Sequence, residues 1–308
     1  MENQSDVCLE EKGSVRPGWR RPVLPPGPSP PADSHPMRYM RGRWCTRTVH
    51  FLARTELNID ADLCELVSCP DDVRRMARIF KKAPRRLVAS LDTTTRDGRR
   101  LVIKAFPLRH LLVQLRWRRY GYREFRNHRE AQCRGIPTPE LYAYFQVKDR
   151  VGLTKNCGVL IEHLPGYVTL REALERDSIN RRRHLADAAG LLRLCRAAGA
   201  NHIDLSVDNI MLGPEGFKII DWQYASFPKA KEDAQTVMQT AYFLQTAPFA
   251  TGSPEGAFFK REVHAGACPH LNRERFDGLV DQLADSPRVS TAGRATLNVR
   301  ALKALDRK

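Results

Sequence analysis

Between His202 and Asp221 the chain reads His-Ile-Asp-Leu-Ser-Val-Asp-Asn, followed by two short apolar runs and then Asp-Trp-Gln. The runs, Ile210-Met211-Leu212 and Phe217-Lys218-Ile219-Ile220, are parted by Gly213-Pro214-Glu215-Gly216, the pattern of a tight hairpin. A hairpin carries the chain back to where it set out, so Asp204, Asn209 and Asp221 are brought to one edge. Two carboxylates and a carboxamide there are hard oxygen donors, suited to a divalent cation and to the proton of a hydroxyl. Any fold for this chain must keep that loop and hairpin together.

The spacing is that of the His-x-Asp-x4-Asn loop of kinase-like phosphotransferases, with a second metal-binding Asp after the next strand. Such chemistry needs a carboxylate beside the acceptor hydroxyl, and an Asn and an Asp to hold Mg²⁺ on nucleotide phosphates. It also needs a strand lysine for the phosphates and a helix glutamate to orient it. Lys104 lies inside the apolar run Leu101 to Phe106, where a lysine is costly unless its charge is used. Glu124 lies on a helix predicted over Gly121 to Arg134, which stops at Gly135 before Ile136-Pro137-Thr138-Pro139. Glu130 on the same helix is an alternative partner.

The remaining pattern agrees with this frame. Arg86 to Asp92 and Arg99 to Phe106 read as strands around Thr95-Arg96-Asp97-Gly98, after a short mixed segment at Asp71 to Phe80. Leu141 to Val147 and Gly158 to His163 read as two more strands, so the first half is several strands with one embedded helix. Leu185, Ala188, Leu192, Cys195 and Ala198 recur at helical spacing up to Gly199. Lys229 to Lys308 reads as three or four helices.

Taken together, these segments resemble the bacterial lipopolysaccharide kinase family, the Kdo and heptose kinases of the inner core. The resemblance runs from about Arg99 to Ala225. Its marks are Leu101 to Phe106, Arg123-Glu124-Phe125-Arg126 leading into Arg134-Gly135-Ile136-Pro137-Thr138-Pro139, Val159 to Gly166, and the two catalytic segments. It implies an α+β, two-lobed protein-kinase-like fold: a β-rich N-lobe at 38–163 with one orienting helix, and a mainly helical C-lobe at 164–308. It implies ATP and Mg²⁺ as cofactors in a cleft between the lobes, Asp204 as catalytic base, Asn209 and Asp221 as Mg²⁺ ligands, and Lys104 paired with Glu124 over the phosphates. The backbone around Glu162 to Leu164 becomes the hinge facing adenine. The implied reaction transfers the γ-phosphoryl to a sugar hydroxyl of an anionic glycolipid.

Several departures narrow the reading. No glycine-rich loop precedes the first strands; Lys81-Lys82-Ala83-Pro84-Arg85-Arg86 stands there instead, able to neutralise phosphates with side-chain charge or to be a solvated basic turn. The Arg of His-Arg-Asp is Ile203, Asp-Phe-Gly is Asp221-Trp222-Gln223, and no Ala-Pro-Glu follows. These absences argue against a phospho-regulated protein kinase. His202 is read as bracing the loop and Asp208 as capping it. Kinases of other small molecules or of protein remain as alternatives, as does an inactive basic scaffold of kinase fold binding membrane or nucleic acid.

Charge bears on partners. The net charge is +16, and Asp71 to Arg134 alone holds 19 Lys/Arg against 6 Asp/Glu. An anionic partner, whether glycolipid or membrane surface, competes with the plainer reading of a solvated basic face; no nucleic acid is expected. Trp117 and Tyr120, in Leu115-Arg116-Trp117-Arg118-Arg119-Tyr120, belong either to an interfacial segment or to a helix bracing the lobe. Residues 1–37, with eight of the 20 prolines before residue 37, are expected to be a disordered tail. No signal sequence or membrane span is expected, which places the protein in the cytoplasm, with peripheral attachment to the inner membrane if its acceptor is lipid-linked. The eight cysteines form no zinc-ligand pattern and read as reduced.

Overall fold

The structure, a computed structural model, describes residues 36–69, 76–228 and 233–286. All but the end of the expected tail, part of the expected mixed segment and the last stretch of the expected C-terminal helices lie outside the described residues. The chain divides into two compact units. Of the described residues, one unit comprises those up to Arg129 with Pro139–His163; the other comprises Glu130–Thr138 with those from Leu164 onward.

The first unit contains β1 (Met37–Trp44), β2 (Arg47–Arg54), α1 (Ala61–Ser68), β3 (Met76–Ala83), β4 (Arg86–Thr94), β5 (Arg100–Pro107), α2 (Leu111–Leu115), most of α3 (Gly121–Cys133), β6 (Leu141–Lys148) and β7 (Thr154–Glu162). The strands form one sheet in the order β1-β2-β6-β7-β5-β4-β3, every neighbouring pair antiparallel. Strand alternation explains its two faces. Leu101, Ile103 and Ala105 of β5 join Phe51, Leu91 and Phe145 in a core that includes Leu63, Cys64 and Val67 of α1. Phe106 turns to the opposite face, with Phe125 of α3, Tyr144 and Val159. Lys104 shares the pleat of Phe106.

The second unit adds β8 (Val168–Thr169), α4 (Leu170–Arg176), α5 (Arg181–Ala197), β9 (Asn201–His202), β10 (Ile210–Gly213), β11 (Gly216–Ile219), β12 (Ala225–Ser226), α6 (Asp233–Thr246), α7 (Pro254–Ala267) and α8 (Arg273–Ala284). β11, β10 and β8 form one small sheet, and β12 and β9 another. Leu192, Trp222, Phe243, Phe259 and Phe276 meet in its core, with the Phe243 and Phe259 rings stacked at 4.1 Å.

Helices α3 and α5 end alike. At the end of α3 the Ile136 N–H reaches the Ala131 carbonyl (3.0 Å) and Gly135 takes φ +70°. After α5 the Ala200 N–H reaches Cys195 (2.8 Å) and Gly199 takes φ +65°. Both are the six-to-one closure that a residue with positive φ permits.

The fold is thus the expected α+β kinase-like class, richer in its first unit than the sequence suggests. β1, β2, β3 and α1 were not anticipated there, and α2 stands free of α3, so three helices accompany the sheet rather than one. Among the described residues no helix is long and apolar enough to cross a membrane. The seven described cysteines are free thiols, and burial pushes Cys157 and Cys195 up to about 12.

Candidate active site

In the first unit, the lysine inside β5 and the glutamate inside α3 meet: Lys104 Nζ lies 2.8 Å from Glu124 Oε2, with both side chains more than nine-tenths buried. Glu130 is engaged elsewhere, by Arg134 one turn on at 2.7 Å. A buried ion pair returns little net stability, but removing one partner strands the other charge. What seats α3 so close to the sheet is a pair of glycines. A Cβ on Gly121, the first residue of α3, would lie 2.7 Å from the Gly158 nitrogen, and one on Gly158 would lie 2.2 Å from the Lys104 carbonyl oxygen. Main chain therefore rests on main chain from α3 through β7 to β5.

One helical turn beyond Glu124, His128 is fully buried and bonds through Nε2 to the Pro139 carbonyl at 2.7 Å. Burial, with Lys104 and Arg54 nearby, pushes its pKa down to about 4 despite that bond. It stays neutral at ordinary pH and adds no charge beside the lysine. The sequence reading missed it.

In the second unit, the catalytic segments close as a backbone-held loop. Asn209 Nδ2 donates to the Asp204 carbonyl (2.7 Å), and the Ser206 N–H donates to the same oxygen (2.8 Å). The hairpin β10–β11 then returns: the Ile220 N–H donates to the Asn209 carbonyl (3.0 Å), while His202 Nε2 meets the Ile220 carbonyl (3.1 Å). Asp221 follows at φ +64°, ψ +59°, a left-handed conformation that Asp tolerates at a cost of about 1 kcal/mol. Trp222, fully buried, donates to the Ile219 carbonyl (3.1 Å) and meets the His202 ring edge-on at 4.8 Å. His202 is thus a brace, and burial holds its pKa down although Asp204 and Asp221 oppose the shift.

Tyr242 of α6 donates its hydroxyl to Asp204 Oδ1 at 2.8 Å. Nothing in the sequence points to it, since it lies 38 residues on, beyond the β10–β11 hairpin. Asp208 does not cap the loop as the sequence suggested. It takes a two-point ion pair from Arg171 (2.6 and 3.0 Å), whose guanidinium also reaches the Thr246 carbonyl.

Asn209 and Asp221 suit a magnesium ion. With the Asn209 amide nitrogen committed to Asp204, its oxygen is the end presented, a hard donor like the Asp221 carboxylate. Among the described residues no group of three or more His, Cys, Asp or Glu could hold a metal unaided. Such a pair matches an ion that completes its shell with substrate phosphates and water.

The expected hinge and phosphate-facing lysines lie in the first unit, except Leu164. The Glu162 N–H bonds to the Glu140 carbonyl (2.8 Å) and the His163 N–H to Arg100 (2.9 Å), so these two donors are already used. The Leu164 carbonyl accepts the Tyr167 N–H (3.4 Å). Lys81 and Lys82 are exposed on the edge strand β3, opposite Val88 and Leu87, beyond a bulge that follows Ile79. Phe80 stacks on His163 at 6.2 Å, tying β3 to the end of β7.

An antiparallel sheet carrying a buried Lys–Glu pair, with a His-x-Asp-x4-Asn loop in a helical unit, defines a protein-kinase-like fold. Residues 103–234 match the family model described as "Lipopolysaccharide kinase (Kdo/WaaP) family". Over that segment, a little under half of the chain, the resemblance read from the sequence to the lipopolysaccharide kinases is shown. The chain is similar to the solved structure "WaaP in complex with acyl carrier protein", at 16% identity and TM-score 0.47, covering 76% of this chain and 91% of that one. It is also similar to a Rio2 kinase–ADP/Mg²⁺-phosphoaspartate complex from Chaetomium thermophilum, at 14% identity and TM-score 0.41, covering 79% and 77%. No curated protein matches it by sequence.

Proposed function

We propose that the protein is an ATP-dependent phosphotransferase that moves the γ-phosphoryl of Mg-ATP to a sugar hydroxyl of the lipopolysaccharide inner core. The supporting observation is the loop itself: one carbonyl, that of Asp204, anchors both Asn209 and the turn at Ser206, while Ile220 is tied to Asn209 just before Asp221. The loop that carries three oxygen-bearing groups is thereby held by its own backbone, before any substrate arrives. Electrostatic preorganisation of this kind is the main resource of phosphoryl transfer.

In the reaction the acceptor oxygen forms a bond to the γ-phosphorus as the bond from that phosphorus to the β,γ-bridging oxygen breaks. ADP leaves with the electron pair. Asp204, oriented by Tyr242, receives or orients the hydroxyl proton. Lys104, held by Glu124, neutralises the α- and β-phosphates, with Lys81 and Lys82 adding exposed positive charge. Asn209 and Asp221 would hold a Mg²⁺, which when bound would supply charge neutralisation on the nucleotide phosphates. Glu162 and Leu164 border the adenine. The domain assignment proposed with this reading is a tail at 1–37 and one kinase-like domain in two lobes, 38–163 and 164–308.

The test is transfer of labelled γ-phosphate to Kdo-lipid A or lipopolysaccharide, with Asp204→Ala beside the parent. Removing the carboxylate should lower the rate by at least ~100-fold. Undiminished transfer by the variant would remove Asp204 from the mechanism. Mg-ATP binding without labelled glycolipid would move the acceptor elsewhere, and no nucleotide binding would end the kinase reading.

A further inference from the structure

α2 is an unusual surface. Leu111, Leu112 and Leu115 are 57%, 68% and 62% exposed, the large side chains of a single helical turn facing water together. At about 100° per residue, positions 111, 112 and 115 fall within one face of the turn. The other face is pinned: buried Gln114 donates to the Leu108 carbonyl at 2.8 Å, and Val113 and Trp117 pack on the cluster of Phe106, Phe125 and Tyr144. Trp117 stacks on Tyr144 at 6.4 Å and meets Tyr122 edge-on at 5.7 Å. The leucines are therefore presented by a turn that is anchored on its inner side.

The charge around them is of one sign. From Gly98 to Arg123 the chain has no Asp or Glu and eight Lys or Arg. Arg109, Arg116, Arg118 and Arg119, which flank the turn, are exposed. Large exposed apolar groups ringed by arginine fit a surface that is apolar beneath and anionic on top.

We infer that the α2 turn is a membrane-docking element: Leu111, Leu112 and Leu115 enter the headgroup boundary of an anionic bilayer while the flanking arginines meet its lipid phosphates. The choice of a bilayer as occupant rests on the lipid-linked acceptor proposed above. The physical requirement is two signals, apolar insertion and polybasic attraction, since either alone binds weakly.

The experiment is cosedimentation of the full chain with vesicles of phosphatidylcholine plus phosphatidylglycerol, and of phosphatidylcholine alone, without nucleotide or acceptor. The parent should bind the anionic vesicles and release them in high salt. The triple variant Leu111→Ser/Leu112→Ser/Leu115→Ser should lose on the order of tenfold in partitioning per inserted leucine. Because these side chains are exposed, the variant should keep the parent's unfolding midpoint, and transfer to detergent-dispersed acceptor should be unchanged. A single Leu112→Trp variant should add a blue-shifted emission on anionic vesicles over the parent's spectrum.

No parental binding to anionic vesicles, equal binding by the triple variant, or binding indifferent to phosphatidylglycerol would each overturn the assignment. So would self-association or capture of an acidic protein that the leucines govern while vesicles are ignored. Loss of glycolipid phosphorylation with vesicle binding intact would count against the acceptor reading and leave the docking surface standing.

Discussion

The two polar assemblies of this protein are held in opposite ways. Lys104 and Glu124 are dry, and each is fixed by the other's charge within a packed sheet and helix. Asp204, Asn209 and Asp221 are only half-buried, and they are fixed by main-chain hydrogen bonds and one left-handed residue. A buried charge fixes itself through the penalty of being alone, whereas groups that must meet water, metal and substrate are carried on a loop held mainly by its own main chain, with Tyr242 orienting Asp204. The contrast predicts where substitutions will cost folding and where they will cost only rate.

The largest effect on stability is expected at the dry pair. Lys104→Ala leaves Glu124 charged and buried, and should destabilise by about 3–5 kcal/mol in urea unfolding. The double variant Lys104→Met/Glu124→Leu should recover most of that loss and still fail to transfer phosphate. If the double variant is as unstable as the single, the pair is not held in the way described.

Next comes pH. His128 and His50 both have folded pKa values of about 4, below the unfolded 6.5, and burial is the leading cause in each. As pH falls below 6.5 the unfolded chain takes up protons first, so stability present above 6.5 is lost progressively towards pH 4. His202 adds in the same direction. Fully realised, the His128 contribution is roughly 3 kcal/mol. His128→Gln, which keeps an N–H for the Pro139 carbonyl, should flatten the midpoint-versus-pH curve over that window without abolishing its slope.

Smaller again is Tyr242→Phe, which removes one hydrogen bond to a carboxylate. A cost of about 1 kcal/mol is expected, seen as a roughly fivefold fall in kcat with KM for ATP unchanged. A change in KM alone would detach Tyr242 from the orientation of Asp204. Smallest in stability is Asp221→Asn, because Asn also tolerates the left-handed conformation: less than about 0.5 kcal/mol. Its rate should nevertheless fall by at least ~100-fold, with the loss depending on Mg²⁺ concentration. A large stability loss at Asp221 would erase the distinction between the two assemblies.

What the sequence made legible follows the same division. The hairpin at 210–219, the helix ends at Gly135 and Gly199, and the lysine inside the apolar run of β5 are local signals of turn chemistry and periodicity. β3 offers none: after Met76 all seven residues are exposed, so an edge strand shows no alternation. β1, also at an edge, has half of its residues exposed. Tyr242 reaches Asp204 only through the packing of α6, which no spacing encodes. Leu111 and Leu112 carried no signal of their exposure, because apolar composition alone does not say which groups are left outside the core.

The glycine contacts linking α3, β7 and β5 make the Lys104–Glu124 spacing a gauge cut in main chain. Most side chains of this unit lie outside the gauge; the Phe145 ring, which a Cβ on Gly158 would meet at 2.6 Å, is one that borders it. Gly121 and Gly158 have no latitude. A variant library selected only for folding should find these two positions fixed, even though neither glycine touches a reacting atom.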